Sequence, residues 1–247
     1  MKKILALVLA LALVVCASLA LAEETAVMTY DEYAKAAIDD SVCVEAYVQA
    51  TQSWWDGKIT VYAAAEGKGA YFIYNMACTE EDAAKLVPGT KIKVTGVKAE
   101  WSGEVEIVDA TFEFVDGDPY IAEAEDLTAV FGTEELADHM NELFAIKGAT
   151  VVASKVEGKD DEFPFLYSWD GSGTRDDNGV GADLYFNVDV NGATYNMTVE
   201  SYLRGNDTDV YKAVEGLQIG DVIDIEGFLY WYNGANPHVI SVTPAAK

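Results

Sequence analysis

The stretch Leu86–Ile107, LVPGTKIKVTGVKAEWSGEVEI, is echoed by Leu217–Val239, LQIGDVIDIEGFLYWYNGANPHV, and this echo decides the fold. Leu86, Gly89, Gly96 and Gly103 fall on Leu217, Gly220, Gly227 and Gly234 with one constant offset, so the copies agree without gaps where a tight backbone favours glycine. One supersecondary unit is present twice, and each copy is read as a domain.

Working outward from the first copy, Thr29-Tyr30-Asp31-Glu32 is a capping box that opens a short helix to about Ile38. Alternation follows, with Val42, Val44, Ala46 and Val48 on one face of a long strand and Cys43, Glu45, Tyr47 and Gln49 on the other. Asp56-Gly57 and the Gly67-Lys68-Gly69 run turn the chain into a second and a third strand. Thr79 caps a helix read to Leu86, Pro88-Gly89 breaks it, and two more strands reach Phe114. The second copy repeats this order, from Thr133 through an Asn191-Gly192 hairpin to about Thr243.

Three strands, a helix and two strands is the order of a five-stranded Greek-key OB barrel. The expected fold is therefore mainly β: two tandem OB-fold barrels, each with a leading helix and a helix between strands 3 and 4. The expected domains are residues 28–118 and 127–243, the second with an insertion at about 157–182 between its first two strands.

Residues 1–22 read as a secretory signal peptide: Met1-Lys2-Lys3, an apolar run from Ile4, and Ala20-Leu21-Ala22 before Glu23-Glu24. The expected location is outside the cytoplasm, with no membrane span in the mature chain. Cys16 would be a lipid-anchor site, but Val15 before it is bulky where lipoprotein processing wants a small residue, which disfavours anchoring.

The formal net charge is −26, and loss of Lys2 and Lys3 with the leader makes it more negative. Phosphate binding wants a basic footprint, so nucleic acid is disfavoured as a partner on this ground. Cys43 and Cys78 remain, either as a disulfide or as separate core residues. His139 and His238 are the only histidines and lie one in each copy, so no zinc centre and no cofactor are expected. The loop Asp170–Asp183 is rich in oxygen donors, yet Arg175 and Gly181 stand where an EF-hand needs glycine and glutamate, and it reads as a solvated loop. Glu100, Glu104 and Glu106 invite a two-carboxylate hydrolase, but no carboxylate is singled out by an apolar setting, so no catalytic residue is expected.

Four runs, TQSWWDGKITVY from Thr51, GAYFIYNMACTEEDAAKLVPGTKIKVTG from Gly69, EWSGEVEI from Glu100 and EGFLYWYNG from Glu226, carry a family likeness. The chain resembles extracytoplasmic bacterial proteins with tandem OB-type domains, common in gut Firmicutes and many of them lipoproteins. That resemblance implies fold and location and no particular activity.

OB barrels bind across strands 2 and 3, bordered by the loops joining strands 1 to 2 and 4 to 5. All five tryptophans map to these loops. Trp54, Trp55 and Trp101 fall in the first copy, Trp169 in the insertion of the second, and Trp231 lies between Tyr230 and Tyr232 in its last loop. With the outward Thr60 and Tyr62 of strand 2, they form the candidate ligand set. Flat rings offered for stacking point to a non-catalytic binding module for a saccharide or an extracellular peptide. The alternatives are a structural protein docking another extracellular protein, and OB-fold nucleic-acid binding.

Overall fold

The computed structural model describes residues 26–175 and 180–246. The leader 1–22, Cys16 and part of the Asp170–Asp183 loop lie outside the described residues.

A helix α1 (Tyr30–Lys35) opens the chain, and its capping box is present: Thr29 accepts from the Glu32 amide and Glu32 accepts from the Thr29 amide. Strands β1 (Ser41–Thr51), β2 (Lys58–Ala64) and β3 (Ala70–Ala77) follow. Helix α2 (Glu80–Ala83) is a single turn, with reverse turns carrying the chain on to Leu86. Strands β4 (Lys91–Trp101) and β5 (Glu104–Phe114) complete a closed barrel in the order β1-β2-β3-β5-β4, where β3 and β5 pair in parallel. Val42, Val44, Ala46 and Val48 of β1 point inward as expected, into a core with Ile59, Val61, Ile73, Met76, Ile92 and Ile107.

The linker carries a short β6 (Glu125–Asp126) and a 3-10 helix (Glu134–His139) in place of a full leading helix. Thr133 makes no side-chain capping bond there, which removes one stabiliser of a longer helix. Strand β7 (Leu143–Val152) opens the second copy, and the insertion forms β8 (Ser154–Lys155), β9 (Glu162–Phe163) and β10 (Leu166–Tyr167). Strands β11 (Leu184–Val190) and β12 (Ala193–Val199), helix α3 (Asp209–Glu215), and strands β13 (Val222–Phe228) and β14 (His238–Pro244) close the second barrel in the same cyclic order. Helix α3 buries Val210, Tyr211 and Val214 in that barrel's core. The fold is therefore two closed five-stranded OB barrels in tandem.

The glycine echo has two structural origins. Gly89 and Gly220 turn with positive φ, as does Gly103 beside the ring of Trp231. Gly96 and Gly227 instead sit at register shifts of β4 and β13, where a Cβ on Gly227 would meet the His238 carbonyl oxygen at 2.5 Å and one on Gly96 the Val108 oxygen at 2.7 Å. Close strand approach, not a turn, selects glycine there.

The barrels pack against each other. Ala50, Tyr62 and Phe72 of the first form one apolar cluster with Leu203 and Phe228 of the second. Tyr62 stacks on Phe228 at 4.6 Å, and its hydroxyl lies 2.6 Å from Nδ1 of His238. The Trp231 amide donates to Glu104 Oε2 at 2.8 Å, the Asn233 amide to the Ser102 carbonyl at 2.7 Å, and the Ser53 amide to the Tyr202 carbonyl at 2.8 Å. Cys43 and Cys78 are free and buried: the Thr95 hydroxyl faces Cys43, and Cys78 joins the first core.

Candidate functional site

Strand alternation builds the site on the second barrel. Leu184, Phe186, Val188 and Val190 of β11 point into the core, which turns Tyr185 and Asn187 outward. Strand β12 pairs antiparallel with β11, setting Asn196 opposite Asn187 and Thr198 opposite Tyr185. This is the strand 2 and 3 face on which OB barrels bind, and here it is open. A cleft of about 810 Å³ lies over it, bounded by Trp169 from the insertion and by Tyr230, Tyr232 and Asn236 from the loop between β13 and β14.

The floor is a fixed amide relay. Asn196 Nδ2 donates to Asn187 Oδ1 at 2.9 Å, Asn236 Nδ2 donates to Asn196 Oδ1 at 3.0 Å, and Asn187 Nδ2 donates to the Ala153 carbonyl at 3.2 Å. Each bond fixes which end of an amide donates, so the floor presents oriented donors and acceptors. Trp169 is 74% exposed and Tyr232 54%, leaving two ring faces free on opposite loops. Tyr230 is stacked on His238, with centroids 4.2 Å apart.

Glu200 and His238, both in the cleft, are strongly shifted. Burial, reinforced by the negative charge of Asp183, pushes the Glu200 carboxyl up to about 7, while its Oε2 accepts from the Leu203 amide at 2.7 Å. Asp183 is held by the amide and hydroxyl of Ser201. Burial depresses His238 to about 3, so its ring is neutral, and Nδ1 shares a hydrogen bond with the Tyr62 hydroxyl; Gln52 Nε2 donates to the Tyr62 oxygen at 3.3 Å.

The corresponding face of the first barrel is covered by the second. Tyr62 is 1% exposed, and Thr60 is buried with its hydroxyl accepting from the Asn75 amide. The expectation that both point outward toward a ligand is corrected: both are buried, Tyr62 beneath the neighbouring barrel and Thr60 against Asn75 of its own. Trp231 is partly buried over Gly103 at the junction. Trp54 donates from Nε1 to the Cys78 carbonyl at 2.9 Å. Trp55 and Trp101, 76% and 60% exposed, stand away from the cleft. Of the nine candidates, Trp169, Tyr230 and Tyr232 are brought together.

Sequence reasoning missed Asn187, Asn196, Asn236, Thr198 and Glu200. A polar residue on the outer face of a strand reads as solvated, and the one available signal was the amide pair placed opposite across the Asn191-Gly192 turn. It also missed carboxylates in apolar settings, which corrects the expectation that there are none. Burial at the barrel junction pushes Glu104 up to about 8, and burial raises Glu106 as well.

No family model and no curated protein matches the chain. Solved structures do match over most of its length. A murine DNA-binding protein bound to double-stranded DNA is 13% identical, covering 83% of this chain and 97% of that one, with a TM-score of 0.35. A HIN domain in complex with 20-base-pair double-stranded DNA is also 13% identical, covering 84% and 100%, with a TM-score of 0.35. A replication protein A heterotrimer bound to single-stranded DNA is 10% identical, covering 90% and 70%, with a TM-score of 0.29. These three structures are DNA complexes, whereas the charge led to the expectation that nucleic acid is disfavoured as a partner. At these similarities the ligand has to be argued from the cleft itself.

Proposed function

We propose that the protein is a non-catalytic OB-fold binding module whose second barrel takes unpaired nucleobases of a single strand. The observation that carries this is the open strand 2 and 3 face, where oriented amides lie between the free rings of Trp169 and Tyr232. Rings of this kind stack successive bases, at about 1–3 kcal/mol per base, and amide side chains pair with exposed base edges. The pattern of Lys2-Lys3, an apolar run and Ala20-Leu21-Ala22 supports export, and in this reading the module acts outside the cytoplasm.

The charge sets the mode of recognition. Lys155, the cation on the cleft, is paired with Glu162 at 2.9 Å, and the chain as a whole carries −26. Phosphates gain nothing from such a surface, so binding rests on the bases and is opposed by the backbone. Ordinary single-strand binders weaken as salt rises, because counterions are released from the nucleic acid. This protein is expected to do the reverse, since added salt screens the repulsion.

Tryptophan fluorescence titration with oligothymidylate and oligouridylate at low and moderate salt is the test. Quenching whose affinity rises with salt, and which Trp169→Ala and Tyr232→Ala abolish, is the expected result. Absence of quenching by either oligomer, or a neutral oligosaccharide displacing them from the cleft, overturns it.

A further inference from the structure

The linker and the start of the second barrel bring together a group of metal-ligating side chains that the cleft does not use. Glu125 on β6, His139 at the end of the 3-10 helix and Glu142 just before β7 each present one donor atom, all within 4.8 Å of one another. The imidazole Nδ1 lies 2.8 Å from Glu142 Oε2 and 3.8 Å from Glu125 Oε2. Around a tetrahedral zinc ion, with ligand bonds of about 2.0–2.2 Å, neighbouring donors stand about 3.3 Å apart, so the two observed spacings straddle the required one. The side chains of His139 and Glu142 are each 18% exposed, while that of Glu125 is mostly exposed and free to swing.

We propose that Glu125, His139 and Glu142 form a binding site for a divalent transition metal, of the zinc, cobalt or manganese class. One imidazole nitrogen with two carboxylates selects such ions over calcium and magnesium, which prefer oxygen ligands alone. Three protein ligands leave one tetrahedral position for water. The metal joins β6 of the linker to the segment that touches the first barrel, where Asn141 donates to the Val105 carbonyl at 3.0 Å. Metal binding therefore couples to how firmly the linker and the two barrels are held together.

The sequence hid this site because the ligands are spaced irregularly, with a single histidine among many acids. In a chain this acidic, diffuse cation binding is the competing explanation, and the test separates the two. The chelator-treated full chain is titrated with Zn²⁺ by calorimetry and with Co²⁺ by visible absorption. One Zn²⁺ per chain is expected, with a cobalt spectrum showing nitrogen ligation and a rise in Tm on metal addition. His139→Ala and Glu125→Gln should each weaken binding, by on the order of 100-fold for the histidine. Glu125→Gln keeps the His139–Glu142 contact, so its loss of binding does not depend on misfolding. Glu123→Gln removes the same charge from an exposed neighbour and should leave binding unchanged. Equal loss in Glu123→Gln, or unchanged binding in Glu125→Gln and His139→Ala, overturns the site.

Discussion

Tyr62 shows how one side chain changes role when a second barrel arrives. Its ring packs on Phe228 and Phe72, and its hydroxyl meets a buried neutral imidazole. Tyr62→Phe leaves that buried ring nitrogen unpaired, which should cost about 1–3 kcal/mol in a denaturant melt. Trp55→Ala, on an open surface, should change stability by less than about 0.5 kcal/mol. Glu104 carries a pH dependence of definite sign. Its carboxyl is raised to about 8 in the fold, so between the ordinary glutamate range and about pH 8 the folded chain binds a proton that the unfolded chain has released. Stability is then lost as pH rises through that window, and Glu200, raised to about 7, adds the same sign over a narrower one. His238, depressed to about 3, acts oppositely, but only below the ordinary histidine range. Thermal melts should thus show Tm rising as pH falls from about 8 to 6.5, with the unfolding free energy growing by up to about 1.4 kcal/mol per pH unit for each proton involved. Glu104→Gln should flatten this slope, and an unchanged slope would remove Glu104 as its source.

At the scale of elements, the bulge in β13 links packing to the site. Gly227→Ala sets a Cβ against the His238 backbone, and β13 and β14 must separate to accept it. The expected cost is about 1–3 kcal/mol. Because His238 lines the cleft, the same substitution should weaken oligonucleotide binding in the fluorescence titration. Element order, the capping box at Thr29 and the hairpin at Asn191-Gly192 were all legible, since each rests on residues close in sequence. The helix read from Thr79 to Leu86 shortened to one turn, and the one expected from Thr133 became a 3-10 helix. In such short segments, packing of Leu86 and Leu136 into the cores outweighs helix propensity.

For the whole molecule, the junction decides how independent the two barrels are. Each has its own closed sheet and core, so residues 28–118 and 127–243 expressed separately should each keep a cooperative melt. Both should melt lower than the joined chain, because separation bares Tyr62, Phe72 and Phe228 to water. Mixed halves should associate one to one in sedimentation, and Tyr62→Ala in the first half should weaken that association. Failure of either half to melt cooperatively would make the pair a single folding unit.

By itself the sequence determined the tandem barrels, because alternation, caps and turn glycines act over a few residues and recur in both copies. It also determined which loops carry the aromatic rings. Only the tertiary structure decided which of those rings face a ligand. The two binding faces are built on the same plan, but the first is buried against the second barrel and the second is left open, and that choice depends on the fit of Tyr62, Phe72, Leu203 and Phe228 across about 150 residues of chain. The amide floor, the raised carboxyls of Glu104 and Glu200, and the meeting of Glu125 with His139 and Glu142 share this origin. Each depends on burial and proximity that arise when distant segments pack, and neither leaves a periodic mark in the sequence.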